Sequence, residues 1–170
     1  MVIIQSKNVF LRNINSTTDN LEEYLSWLRD TDTNKFIVAA RTDYSMCELV
    51  DYVNHKNVSD DTLFLGIFRV DSQRLIGTIK LEPIDFKEKF AWLGMLIGSK
   101  ADHGKGYGYE ALGLILKLAR EELGLKLIYL GVDLENLAAR NLYLKHGFKF
   151  NSSKLNVMEL ELDLKFQSIV

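Results

Sequence analysis

Along the chain the spacing of apolar positions changes several times, and each change predicts an element. VFLRNI (9–14) alternates as a strand does. DNLEEYLSWLRD (19–30) switches to a helical period that places Leu21, Tyr24, Leu25 and Leu28 on one face, and Asp19 with Glu22 reads as a capping box. Ser45 and Glu48 repeat that signature ahead of a second helix, SMCELVDYVNHKN. Three apolar runs follow with no helical interval: TLFLGIFRV (62–70), RLIGTIKLEPI (74–84) and FAWLGMLIG (90–98). Short turns at Asp71–Gln73 and Asp85–Lys89 join them, which predicts an antiparallel meander. A long amphipathic helix is expected at 106–123, then LIYLGVDL (127–134), whose continuous apolar run reads as a strand covered on both faces. NLAARNLYLKHG (136–147) is a further helix with Gly147 at its C-terminal cap. FKFN and LNVMELELDLKF close the chain, the latter alternating as a strand with one wet face. The order β, α, α, β, β, β, α, β, α, β, β is mixed α/β, with helices covering a central sheet.

The 170 residues suit a single domain, taken as 1–170, with an ordinary globular composition. The net charge of −2 gives no basic field for nucleic acid. The single cysteine, Cys47, allows no intrachain disulfide and is expected as a buried structural thiol. No apolar run approaches the length of a membrane span, so no membrane association and a cytoplasmic location are expected. His55, His103 and His146 lack metal-ligand spacing, so no metal is expected.

The stretch HGKGYGYEALGLILKLAREELG (103–124) carries the most chemistry. A helix start holds unpaired N–H groups and a partial positive charge, and glycines before it let an anion approach the backbone. Gly104, Gly106 and Gly108 fit such a cradle. Lys105 is misplaced for a P-loop and no Ser or Thr follows it. Gly106, Gly108 and Ala111 do spell G-x-G-x-x-A, with Asp133 ending the next strand as a ribose-binding acid would. Against a dinucleotide site stand the meander before the loop and the single α-β unit after it.

Two motifs together point elsewhere. HGKGYG meets the acetyl-CoA motif of the GNAT family of N-acetyltransferases at Gly106 and Gly108, with His103 where Arg or Gln is usual. NLAARNLYLKHGF matches that family's later motif at Asn136, Leu142, Tyr143, Gly147 and Phe148. The chain resembles this family over nearly its whole length, and its ribosomal-protein N-terminal acetyltransferase-like branch most in YLSWLRD and GKGYGYEAL. The resemblance implies the GNAT fold, a mostly antiparallel mixed sheet flanked by helices, and acetyl-CoA as cosubstrate. It implies that strand 90–98 splays from strand 127–134, so that backbone groups around Met95, Leu96 and Ile97 pair with pantetheine. It places the pyrophosphate on the backbone from Gly104 through Lys105, Gly106, Tyr107 and Gly108 to Tyr109, with His103, Asn136, Asn141 and Tyr143 also near the coenzyme. Tyr143 matches the general acid that protonates the departing thiolate. The carboxylate that many relatives carry on the fourth strand is Trp92 here, so Glu82 is the substitute base and Asp133 a second candidate.

The acceptor is expected to be a primary amine of a small molecule bound by 27–60, with Arg41, Asp43 and Tyr44 able to touch it. WLRD and IGTIKLEPID are similar to relatives acting on amino-sugar nucleotides. A protein N-terminus as acceptor, a non-catalytic acetyl-CoA-binding module and a small NAD-binding enzyme stay open. The alternating last strand could pair with a second subunit as a homodimer edge.

Overall fold

The computed structural model describes residues 4–36 and 43–165. Strands are β1 Ile4–Gln5, β2 Val9–Arg12, β3 Leu63–Arg69, β4 Leu75–Asp85, β5 Phe90–Ile97, β6 Leu127–Asp133, β7 Lys149–Lys154 and β8 Val157–Asp163. Helices are α1 Leu21–Arg29, α2 Thr31–Asn34, α3 Met46–Val58, α4 Tyr107–Glu121 and α5 Leu137–Lys145, with a 3-10 turn at Lys100–Asp102. The strands form one sheet in the order β1-β2-β3-β4-β5-β6-β8-β7, and only β5 and β6 run parallel among the described pairs. The meander expected from residues 62–98 is β3-β4-β5.

Alternation along these strands builds two cores. Val9, Leu11, Leu65, Ile79, Leu81 and Leu93 meet α4 and α5 on one face. Phe10, Phe64, Phe68 and Leu75 meet Leu21, Tyr24, Leu25 and Trp27 of α1 and Leu49 and Val53 of α3 on the other. The Ser45–Glu48 capping box forms with both reciprocal bonds.

Four expectations are corrected. The cap of α1 is Asn20, whose side chain accepts from Glu23 N–H; Asp19 instead takes the Arg12 guanidinium in two bonds of 2.7 and 2.6 Å. Cys47 is exposed, because α3 buries the stripe through Leu49 and Val53, from which Cys47 is turned away. β6 is not covered on both faces: Ile128, Leu130 and Val132 are buried, but Leu127, Tyr129 and Asp133 are half-buried and Gly131 is exposed. Its continuous apolar run has a different cause, since Tyr129 packs beside Phe90 and Trp92, at ring distances of 5.7 and 5.6 Å, in an aromatic patch on the open face. Finally, β1, α2 and the turn at 100–102 are additional elements. β8 alternates as expected, with Leu160 and Leu162 buried between partly exposed acids.

Candidate active site

The sheet opens at its centre. β5 and β6 pair only through Phe90, Ala91 and Trp92 against Leu127, Ile128 and Tyr129. Beyond Trp92, β5 keeps β4 on one side, through Leu93 to Ile97. β6 keeps β8, through Leu130 to Asp133. The facing edges of the two strands therefore have no strand partner among the described residues, and a V-shaped gap of unpaired backbone runs toward their C-terminal ends. Met95, Leu96 and Ile97 are only half-buried although they lie mid-sheet.

α4 begins at the mouth of this gap. Gly106 is its N-cap, with φ 84°, and Gly104 precedes it with φ 74°. Both conformations favour glycine. A Cβ at either position would meet nothing within 4 Å, so it would project into the open space before the helix start. The N–H groups of Tyr107, Gly108 and Tyr109 have no hydrogen-bond partner among the described residues. They lie in the first helical turn, where such groups are orphaned and where an anion is generally favoured.

Gly108 is the point of convergence. A Cβ there would touch Ile97 and Leu142 at 3.6 Å and Met95 at 3.7 Å. The cradle helix, the splayed strand and α5 thus meet around one glycine. On α5, Tyr143 is buried and packs edge-on to Phe148, with ring centroids 5.7 Å apart. Its hydroxyl makes no hydrogen bond among the described residues, and burial pushes its pKa up to about 12. Asn136 caps α5 by accepting from Ala139 N–H at 3.1 Å, and Asn141 is exposed.

His103 does not face the anion cradle freely: its Nε2–H donates to the Ile97 carbonyl at 2.7 Å and pins the loop to the end of β5. Lys105 is half-exposed, 3.8 Å from Asp102. Asp102 is a residue that local sequence reasoning passes over. Its carboxylate is buried and paired with Arg69 at 3.1 Å and with Arg74, which ties β3, the start of β4 and the glycine loop together. Burial would raise its pKa, but Ser99, Arg74, Arg69 and Lys105 outweigh that and hold it below the usual carboxylate value. Glu110 does similar work on α4, accepting from Ser6 Oγ and from the Asn8 backbone at 2.6 and 3.0 Å. Both sets join residues far apart in sequence, and spacing carries no signal for them.

Glu82 lies in a β-bulge where Glu82 and Pro83 together oppose Trp92. Lys56 donates to one of its oxygens and Lys80 to the other, at 2.7 Å for Lys80. Burial would raise the carboxyl, but the two lysines hold it below its ordinary value. Asp133 accepts from Glu135 N–H at 2.8 Å. Arg41 lies outside the described residues; Asp43 is exposed, and the Tyr44 carbonyl accepts from the Arg29 guanidinium at 2.6 Å.

The His146 ring couples α5 to α4. Its Nε2–H donates to the Tyr109 carbonyl at 2.9 Å and the ring lies over Tyr109, centroids 4.1 Å apart. Burial lowers its pKa despite that bond. The unfolded ring gains its proton near the ordinary imidazole value of about 6.5, the folded ring only at lower pH. Between these values the unfolded state binds more protons, so stability falls as pH falls. Melting temperatures measured from pH 7 to pH 5 should drop less steeply for His146→Phe, which keeps the ring stack, than for the unaltered protein.

Among the described residues no helix is long and apolar enough to cross a membrane. Known proteins share the fold. The structure is similar to spermidine N-acetyltransferase from Vibrio cholerae in complex with CoA and spermine, with a TM-score of 0.83, 19% identity, and coverage of 92% of this chain and 96% of that one. It is also similar to apo FdhC, a nucleotide-linked sugar GNAT, with a TM-score of 0.75, 19% identity, and coverage of 93% and 88%. In sequence, 90 residues are 37% identical to the Bacillus subtilis protein named Probable N-acetyltransferase YjcK; the match takes in 52% of this chain and 49% of that protein, so the chain spans about half its length. Residues 8–149 match the family described as Acetyltransferase (GNAT) domain, and the chain belongs to that family.

Proposed function

We propose that the chain transfers an acetyl group from acetyl-CoA to a primary amine of a small molecule, with an amino-sugar nucleotide as the favoured acceptor. The observation that carries this reading is the meeting of the anion cradle, the splayed edge of β5 and the Tyr143 helix around Gly108. In this arrangement the free N–H groups of Tyr107, Gly108 and Tyr109 would hold pyrophosphate, and the edge at Met95, Leu96 and Ile97, apart from the Ile97 carbonyl that His103 takes, would hold the pantetheine amides. The open space beside Gly104 and Gly106 fits a bulky anion, since a Cβ at either would fill it. The coenzyme supplies an activated acyl group as a thioester. A β5 backbone N–H at the gap would stabilise negative charge on the acyl oxygen, and Tyr143 would donate a proton to the departing sulfur.

Glu82 is a poorer base than the sequence suggests. Both of its oxygens are held by lysines, and a carboxylate with a lowered pKa has little affinity for an ammonium proton. In our reading the amine gives its proton to water, and Glu82 organises Lys56 and Lys80. Loss of a general base typically costs about 10²–10⁴ in rate. Glu82→Gln should instead change kcat by less than about tenfold, and the acidic limb of its pH–rate profile should stay in place.

Two neighbours support small amines of opposite charge, one named for spermidine and one for a nucleotide-linked sugar. The direct test is coenzyme A thiol release with three acceptor pools: amino-sugar nucleotides, N-terminal peptides, and polyamines. Release with the first pool alone supports the reading. Release with peptides alone would replace it with a protein N-terminal acetyltransferase. Coenzyme binding without release from any pool would favour a non-catalytic module.

A further inference from the structure

We propose that Lys56 and Lys80 form an anion subsite on the acceptor side of the gap, so that the amine acetylated carries a phosphate or other anionic group. This rests on the transferase reading above. Lys56 projects from α3 and Lys80 from β4, and both reach Glu82. Glu82 has two oxygens and gives one to each lysine, so one carboxylate faces two ammonium groups and the cluster is left with a surplus positive charge. The side chains of Lys56, Lys80 and Glu82 are only 15%, 35% and 22% exposed, so that surplus is partly withdrawn from water. A partly desolvated charge attracts a counter-charge more strongly than a solvated one. Each ammonium has three donors. Glu82 takes one donor from each lysine and the Tyr52 hydroxyl takes a second from Lys80, which leaves one N–H on Lys80 and two on Lys56 for an incoming oxyanion.

The position is equally specific. Lys80 pairs in register with Gly94 of β5, and its stem crosses that residue, so that a Cβ at Gly94 would lie 3.2 Å from Lys80 Cε. Glu82 opposes Trp92, the last β5 residue paired to β6. The cluster therefore lies against β5 at the floor of the gap, on the face away from the α4 cradle. The acids of β8 share that face but sit three strands from β4, roughly 14 Å at about 4.8 Å per strand, beyond a Debye length of about 8–10 Å. Asp61 also interacts with Lys56, but it is exposed, where water screens the pair; neither it nor the β8 acids cancel the local charge. A polycationic acceptor would meet two ammonium groups here; a phosphorylated amine would meet complementary ones.

The test uses protein saturated with coenzyme A, so that the α4 cradle is filled, and titrates uridine 5′-diphosphate calorimetrically. Binding is expected in the unaltered protein, at least tenfold weaker in Lys56→Gln and in Lys80→Gln. Glu82→Gln removes the neutralising charge and should bind more tightly. A merely structural cluster would not give opposite signs. Coenzyme affinity and melting temperature identify any variant that fails to fold. Inorganic phosphate serves as a second probe and should bind through the same lysines. Thiol release should favour glucosamine 1-phosphate over glucosamine by at least tenfold, and either lysine variant should bring that ratio toward one. No binding of uridine diphosphate, weakening in all three variants, or preference for spermidine overturns the subsite. Binding with the expected signs but no turnover of any amine would keep the subsite and count against the transferase reading.

Discussion

Gly106→Val should reduce coenzyme A affinity by at least a hundredfold while leaving a folded protein. Two effects act together. Gly106 holds φ at 84°, where a β-branched residue is strained by about 1–3 kcal/mol. The new side chain would also stand in the open space before α4, in front of the N–H groups of Tyr107, Gly108 and Tyr109. Strain alone is separable from occlusion with a matched control. Gly124 also has positive φ, 61°, and a Cβ there would likewise meet nothing within 4 Å. It lies beyond the other end of α4, far from the cradle. Gly124→Val should therefore show a comparable fall in melting temperature with unchanged coenzyme affinity. Isothermal titration of both variants with coenzyme A checks the pair. Unchanged binding in Gly106→Val would remove the cradle from the site, and equal loss in both would mean that strain, not occlusion, is responsible.

The contrast between these two glycines shows what the sequence can carry. Both precede or follow the same helix and look alike as letters; only their neighbours in the chain separate them, Gly106 standing among other glycines at a helix start. Signals of that local kind were legible. The Ser45–Glu48 box, the turns of the meander and the alternation of β8 each depend on residues a few positions apart, and each forms as expected. The gap between β5 and β6 was legible only through family resemblance, since the pairing that ends at Trp92 and Tyr129 leaves no periodic trace. Where a side chain's partner comes from elsewhere in the chain, local pattern misleads. Asp19 looked like a cap because its competitor, Arg12, lies on β2. β6 looked doubly covered because aromatic side chains facing an open groove read the same as those beneath a helix. Glu82 looked available because Lys56 lies 26 positions away, on a helix whose approach to β4 no spacing rule gives. His103 sits at the family's coenzyme motif, yet its side chain holds the Ile97 carbonyl.

Tyr143→Phe should lower kcat by about 10²–10⁴, the usual contribution of a positioned acid, with coenzyme affinity and melting temperature unchanged. The substitution removes one oxygen from a buried ring. That oxygen makes no hydrogen bond among the described residues, so no partner is orphaned by its loss, and the edge contact with Phe148 is kept. The ring is buried, but its oxygen is not among the fully buried polar atoms that lack a partner, so the hydroxyl reaches accessible surface, as a donor to a bound molecule must. The same burial that pushes the phenol to about 12 keeps it protonated at every working pH, as a donor must be. A phenol at 12 is a weak acid toward a free thiolate of pKa near 8.5, the gap corresponding to roughly 4.8 kcal/mol at 1.36 kcal/mol per unit. A thiolate leaving into the same apolar surroundings is raised as well, since desolvation disfavours both anions. The gap narrows where the two groups meet, and the donor's effect is confined to the step in which sulfur takes up charge. Hence the loss should fall on kcat and not on coenzyme binding. A variant with unaltered kcat would return Tyr143 to the core. A variant that lost coenzyme binding as well would show the hydroxyl to be a ligand contact and not an acid.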